Sequence, residues 1–171
     1  MPQTFPAAYE PDMPMNQLRS AELFLAGAFR LYASERIDPR RRWPDWRQGF
    51  VAAGIAADGV PAFERLFEIV TAVPLRPLSV RCIHARFLSE DEGRLLQMVG
   101  LLQQSRDAEA SGLLEGWIPP AAVQLALPAL RSLAFAMSGA GLSVPPRRAE
   151  RQPWPPMPYE SGDEAGVPTI H

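Results

Sequence analysis

Two stretches of this chain carry residue types that could grip another molecule. The first is Arg40-Arg41-Arg42-Trp43-Pro44-Asp45-Trp46-Arg47. Guanidinium groups beside indole rings can clamp phosphate and stack on bases, the pairing a single-strand nucleic-acid binder uses. The same residues also read as a solvated loop leading into a helix, with Trp46 in the core and Asp38 and Asp45 partly neutralising the arginines. Arg40, Arg41, Arg42, Trp43 and Arg47 are therefore the candidate contacts for an anion or nucleic acid.

The second stretch is Trp154-Pro155-Pro156-Met157-Pro158-Tyr159. Pro153 and Pro156 have the spacing of a PxxP motif, and such a run favours polyproline II. Because that conformation is preformed, it loses little entropy on docking into an aromatic-lined groove. These six residues are the candidate partner-binding segment. Three outcomes stay open for them: a ligand for another protein, a strap folded over this chain's own helices, or a passive tail.

Catalytic chemistry finds less support. Cys82 and His84 lie two apart and close to Glu90-Asp91-Glu92, but one cysteine and two histidines are few for a metal site. They read more simply as a buried thiol and a helix-surface imidazole. Glu64 and Glu68 stand one turn apart, yet Arg65 is adjacent and the pair reads as a solvated face. No nucleophile elbow, P-loop or dinucleotide glycine pattern occurs. The expectation is a non-enzymatic protein with no catalytic residue, no metal and no cofactor.

Composition bounds the class. A chain of 171 residues that is 47% apolar is most simply one domain with a real core. A net charge of −2 gives no bulk attraction to nucleic acid or anionic membrane. All seventeen basic residues are arginine. The single cysteine excludes an internal disulfide and points to a reducing compartment. The opening MPQTFPAAYEPDMPM has no basic run and no apolar core, so it does not read as a secretory leader. Ala121–Val144 is long and apolar, but a central arginine such as Arg131 costs about 2.5 kcal/mol or more in a spanning helix. It reads as a buried or half-buried helix, and the protein as cytoplasmic with no membrane contact.

The elements that must carry these residues follow from periodicity. Ser89 with Glu92 forms a capping box, and Glu90, Asp91 and Glu92 complement the helix dipole. Behind them Leu95, Met98, Val99 and Leu102 make one face, widened by Leu96 and Leu101, so the helix from Ser89 to Ser105 should be central. A first helix is expected from Asn16 to about Ser34. A second should begin near Pro44 and end at Asp58-Gly59, and a third should open at Pro61 with Phe63, Leu66, Phe67 and Val70 inward. Ser79–Leu88 alternates like a strand at Leu78, Val80 and Cys82 but is read as a short helix for want of a partner strand. Arg106–Glu115 should continue the central helix or form a separate short one, and a last helix should run from about Pro119 to Ser138, kinked at Pro128.

The chain is thus expected to be all-α: a single five- to six-helix bundle with extended proline-rich N- and C-terminal arms. Residues 1–15 form the N-terminal arm, 16–144 the helical domain and 145–171 a proline-rich disordered tail. The leading functional expectation is a bacterial-type regulatory or adaptor protein that binds another protein, or a second copy of itself as a homodimer. The alternative is a nucleic-acid-binding regulator using Arg40–Arg47.

Overall fold

The computed structural model describes residues 9–145 and Arg147. These are all-helical, with no β-strand among them. A 3-10 turn at Met15–Gln17 precedes six α-helices: α1 (Ser20–Ile37), α2 (Arg47–Ala52), α3 (Ala56–Ala72), α4 (Glu90–Gln103), α5 (Asp107–Leu114) and α6 (Pro120–Gly139). The segment Trp154–Tyr159 lies outside the described residues.

Helix α4 starts where its capping box requires. The Glu92 amide donates to Ser89 Oγ at 3.2 Å, and the Ser89 amide donates to Glu92 Oε2 at 2.9 Å. Leu95, Leu96, Met98, Val99, Leu101 and Leu102 are all buried, and α4 packs against α1, α5 and α6. Ser105, in the left-handed region at φ 58°, ends the run. Helix α6 lies along α3 and α4, and its buried side includes Ala122, Ala126, Ala129 and Ala134, small enough to bring backbones close. Half of its most apolar window is buried in this packing, although it is the one helix among the described residues long and apolar enough to cross a membrane. It continues through Pro128, and its outward Arg131 pairs with Asp107.

The rest of the core is aromatic. Rings from α1 (Phe24, Phe29, Tyr32), the cap of α2 (Trp46), α2 itself (Phe50) and α3 (Phe63, Phe67) form a continuous column that ends on Trp117. Most neighbours stand edge-to-face or tilted, as the ring quadrupoles prefer. Phe29, Trp46, Phe50, Phe63, Phe67 and Trp117 are each fully buried, worth about 1.5–3 kcal/mol apiece for the phenylalanines and more for the larger indoles.

Three boundaries differ from the expectation. The first helix starts at Ser20 rather than Asn16, because Glu22 reaches back to the Arg19 amide at 2.5 Å and caps there. The second ends six residues early: Gly54 takes φ 72°, so the chain breaks at this glycine and not at Asp58-Gly59. Helix α3 consequently begins at Ala56, and Pro61 falls inside it. Ser79–Leu88 is extended with a turn, not a helix. Its partner is the N-terminal arm: the Asp12 and Met15 amides donate to the Leu88 and Arg86 carbonyls at 3.1 and 2.8 Å, and the Leu88 amide donates to the Met13 carbonyl at 2.9 Å. Pro14 sits in the middle of this pairing, where its lack of an N–H costs nothing because its neighbours donate.

Two buried charge clusters tie these pieces together. Arg30, 2% exposed, donates from Nε and Nη2 to the two carboxylate oxygens of Glu92, which is fully buried. Its remaining donors reach the carbonyls of Ala85 and Phe87, both at 2.7 Å. The second cluster holds the chain just after α6. Gln103 and Gln97, on α4, each grip the backbone there through both amide atoms, Gln103 at Leu142 and Val144 and Gln97 at Arg147. Arg147 in turn donates to buried Glu22 at 2.9 Å and lies over the Tyr9 ring. Tyr9 donates to Glu22 Oε1 at 2.5 Å, and burial together with that carboxylate pushes its phenol pKa well above the ordinary value.

Tyr9 crosses α4 at Gly93, where a Cβ would lie 2.8 Å from Tyr9 Cβ. Gly93→Ala is therefore expected to lower stability by about 1–3 kcal/mol, since either the arm or the helix must shift. The urea midpoint of the variant measures it; an unchanged midpoint would show that the arm moves without loss.

Candidate functional site

The Arg–Trp stretch folds as a turn between α1 and α2. The Asp38 carbonyl accepts both the Arg41 amide at 3.3 Å and Trp43 Nε1 at 3.0 Å. The Arg41 guanidinium stacks 4.2 Å above the Trp43 ring, and Arg40, Arg41 and Arg42 remain exposed. Arg47 behaves differently. It lies over Trp46 and donates to Glu64 at 2.5 Å and to Asp45 at 3.4 Å. Burial works against its charge, but the two carboxylates outweigh burial and raise its pKa. Trp46 is 2% exposed and belongs to the aromatic column, so its ring is closed to any base. Four candidate residues thus share one surface, and the fifth is turned toward α3.

Beneath this turn lies a cleft of about 440 Å³ lined by Tyr32, Glu35, Arg36, Pro39, Trp46 and Arg47. Two buried polar atoms there, Tyr32 Oη and Trp46 Nε1, find no partner among the described residues. An unmatched buried polar group costs about 1–3 kcal/mol. The Arg36 guanidinium lies 4.3 Å above the Tyr32 ring. Burial raises the Tyr32 pKa, with Arg36 pulling the other way.

Tyr32 and Arg36 also line a second, more apolar groove of about 300 Å³. Its walls are the C-terminal half of α1, the C-terminal half of α3 and the loop that follows α3. Phe29, Phe67 and Val70 form its floor, and Pro74, Pro77, Leu78 and Val80 its far wall. Ile37 at 80%, Leu75 at 58% and Val73 at 44% exposure place large apolar side chains around this end of the molecule. The prolines of this loop mark a helix boundary in the sequence, and nothing in their spacing reveals that they build a wall. Leu78 and Val80 do show the alternation of an extended segment, and that was the available signal.

The other chemistry-bearing residues do not converge. Cys82 is exposed, not buried, and His84 is exposed in a turn rather than on a helix. No group of three or more His, Cys, Asp or Glu side chains is placed to hold a metal ion among the described residues. Glu64 pairs with Arg47, and Glu68 lies 3.6 Å from Arg65. Asp91 and Glu92, read as dipole and cap residues, are buried hubs of hydrogen bonding.

Comparison of the chain with protein-family models, with curated proteins and with solved structures gives no match.

Proposed function

We propose that this chain is a non-enzymatic regulatory or adaptor protein, cytoplasmic in location, that works by binding another protein. One observation carries the reading: the groove between α1, α3 and the loop after α3 is open and apolar, with exposed Ile37 on one wall and Pro74, Pro77, Leu78 and Val80 on the other. Exposed apolar surface gathered round a concavity and edged by charge is what a protein ligand's apolar anchor seeks. Leu125 and Phe135, 62% and 80% exposed on α6, offer a further apolar surface for a partner or a second copy. The PxxP run at Trp154–Tyr159 remains a candidate contact on the same reading.

The alternative, nucleic-acid binding through Arg40, Arg41, Arg42 and Trp43, is favoured by the exposure of those arginines and the stacking of Arg41 on Trp43. It is weakened by the engagement of Arg47 with Glu64 and by the burial of Trp46. One experiment separates the two. Ile37→Asp with Val80→Asp, both in the groove lining, should abolish capture of a cross-linked protein partner by the full chain, while Arg40, Arg41 and Arg42 replaced by alanine should retain it. A labelled single strand should show no binding even at about 50 mM salt. Capture unaffected by the groove pair, or salt-sensitive strand binding lost on removing the three arginines, would overturn the reading.

A further inference from the structure

We propose that the apolar groove is the docking site of the chain's own segment Trp154–Glu164, its apolar run lying in the groove and its carboxylates meeting the arginines at the rim. The complementarity is chemical on both sides. The segment places Trp154, Met157 and Tyr159 among three prolines, Pro155, Pro156 and Pro158, then turns acidic at Glu160, Asp163 and Glu164. The floor rings Phe29 and Phe67 are covered, and the surface the groove leaves accessible is Ile37 with the proline and aliphatic wall of Pro74, Pro77, Leu78 and Val80, an apolar face for a proline-rich ligand. At its rim Arg36 makes no ion pair among the described residues and sits over Tyr32, with Arg40, Arg41 and Arg42 exposed on the turn beyond. Among the described residues Glu35 is the one carboxylate that lines the cleft beside Arg36, so Arg36 and the exposed Arg40, Arg41 and Arg42 outnumber it where the segment has carboxylates in excess.

The tether permits the docking. Arg147 is fixed to Glu22, in the first turn of α1. The groove begins at Phe29 and ends at Ile37 on the same helix, roughly 10 to 22 Å farther along at about 1.5 Å per residue. Trp154 is seven residues beyond Arg147 and reaches about 23 Å when extended, and Tyr159 reaches about 40 Å. A partner that uses the groove must then displace this segment, a consequence that rests on the protein-binding reading above; the docking itself does not.

The test uses the full chain and its only cysteine. Cys82 is exposed and lies two residues past Val80 in the groove wall, so a nitroxide attached there reports on the groove. In ¹⁵N-labelled protein the four tryptophan indole signals are recorded with the label oxidised and reduced, Trp154 being identified by Trp154→Phe. The Trp154 signal is expected to lose most of its intensity to the oxidised label. Arg36→Glu should restore it, as should Glu160→Arg, Asp163→Arg and Glu164→Arg together, a change confined to the segment that leaves the helical core intact. A Trp154 signal untouched by the label overturns the proposal. So does broadening that appears only when ¹⁵N-labelled chains are mixed with separate spin-labelled ones, which would place the segment on a second copy. A free Trp154 in a chain whose groove still captures a partner sinks the docking alone; a docked Trp154 in a chain whose groove captures nothing sinks the adaptor reading alone.

Discussion

Glu92→Ala is expected to cost about 3–5 kcal/mol, because it strands the Arg30 guanidinium in a site from which water is excluded. A chain of this kind has about 5–15 kcal/mol in total, so the variant should unfold in far milder urea than the wild type. Glu92 Oε1 accepts from Arg30 Nε and from the Arg81 amide, at 2.8 and 3.0 Å, and Oε2 from Arg30 Nη2 and the Ser89 amide, both at 2.9 Å. One carboxylate therefore joins α1, the cap of α4 and the extended segment before it. Removing Arg30 as well should cost less than the sum of the single changes, by about 0.5–3 kcal/mol, since no charge is then left unpaired. Full rescue is not expected, because the Ala85 and Phe87 carbonyls and the Ser89 and Arg81 amides lose their partners in the double variant. Strict additivity in a urea-midpoint cycle would show that burial of the charge is not the source of the loss.

Glu92 also marks where sequence reasoning stops. Its role as a cap was legible, because Ser89 and Glu92 stand three apart and a local pattern is visible locally. Its ion pair with Arg30, 62 residues away, has no local signature. The same division runs through the fold. Stripes such as Phe63, Leu66, Phe67 and Val70 were readable as an inward face, since period alone determines which side is apolar. The extended state of Ser79–Leu88 was not, because its partner came from an arm whose prolines argued against pairing. Those prolines are tolerated since only the amides of Asp12 and Met15 are needed.

The groove was hidden for a related reason. Its floor residues Phe29, Phe67 and Val70 are indistinguishable in sequence from ordinary core, and its open walls come from the end of α1 and the loop after α3, which are far apart in the chain. Arg147 shows the opposite failure: it lies within a proline-rich stretch whose composition reads as a tail, yet it is 9% exposed and paired to Glu22. A truncation meant to remove the tail should accordingly end after Arg147, since cutting at Pro145 would leave Glu22 buried without its cation.

Asp91 should make stability depend on acid in a way that a single substitution removes. Its carboxylate is fully buried and accepts from Arg76 at 2.6 and 2.8 Å, from the Ser79 amide at 2.6 Å and from Trp117 Nε1 at 2.7 Å. Burial alone would raise its pKa, but these hydrogen bonds outweigh burial and hold it below the ordinary carboxylate value. A carboxyl whose folded pKa is depressed stabilises the fold above its unfolded pKa of about 3.9, and that stabilisation drains away as pH falls from there through the folded pKa. Asp91→Asn should thus cost about 2–3 kcal/mol at pH 7, chiefly by leaving a buried donor of Trp117 or Ser79 facing an amide N–H. Arg76 is 38% exposed, so water screens its share of the loss. Other carboxylates titrate in the same range, so the informative quantity is the stability of wild type minus that of Asp91→Asn at each pH. That difference is expected to be constant at neutral pH and to shrink below about pH 4. A difference that stays level down to the acid limit would mean that Asp91 contributes its shape and hydrogen bonds but not its charge.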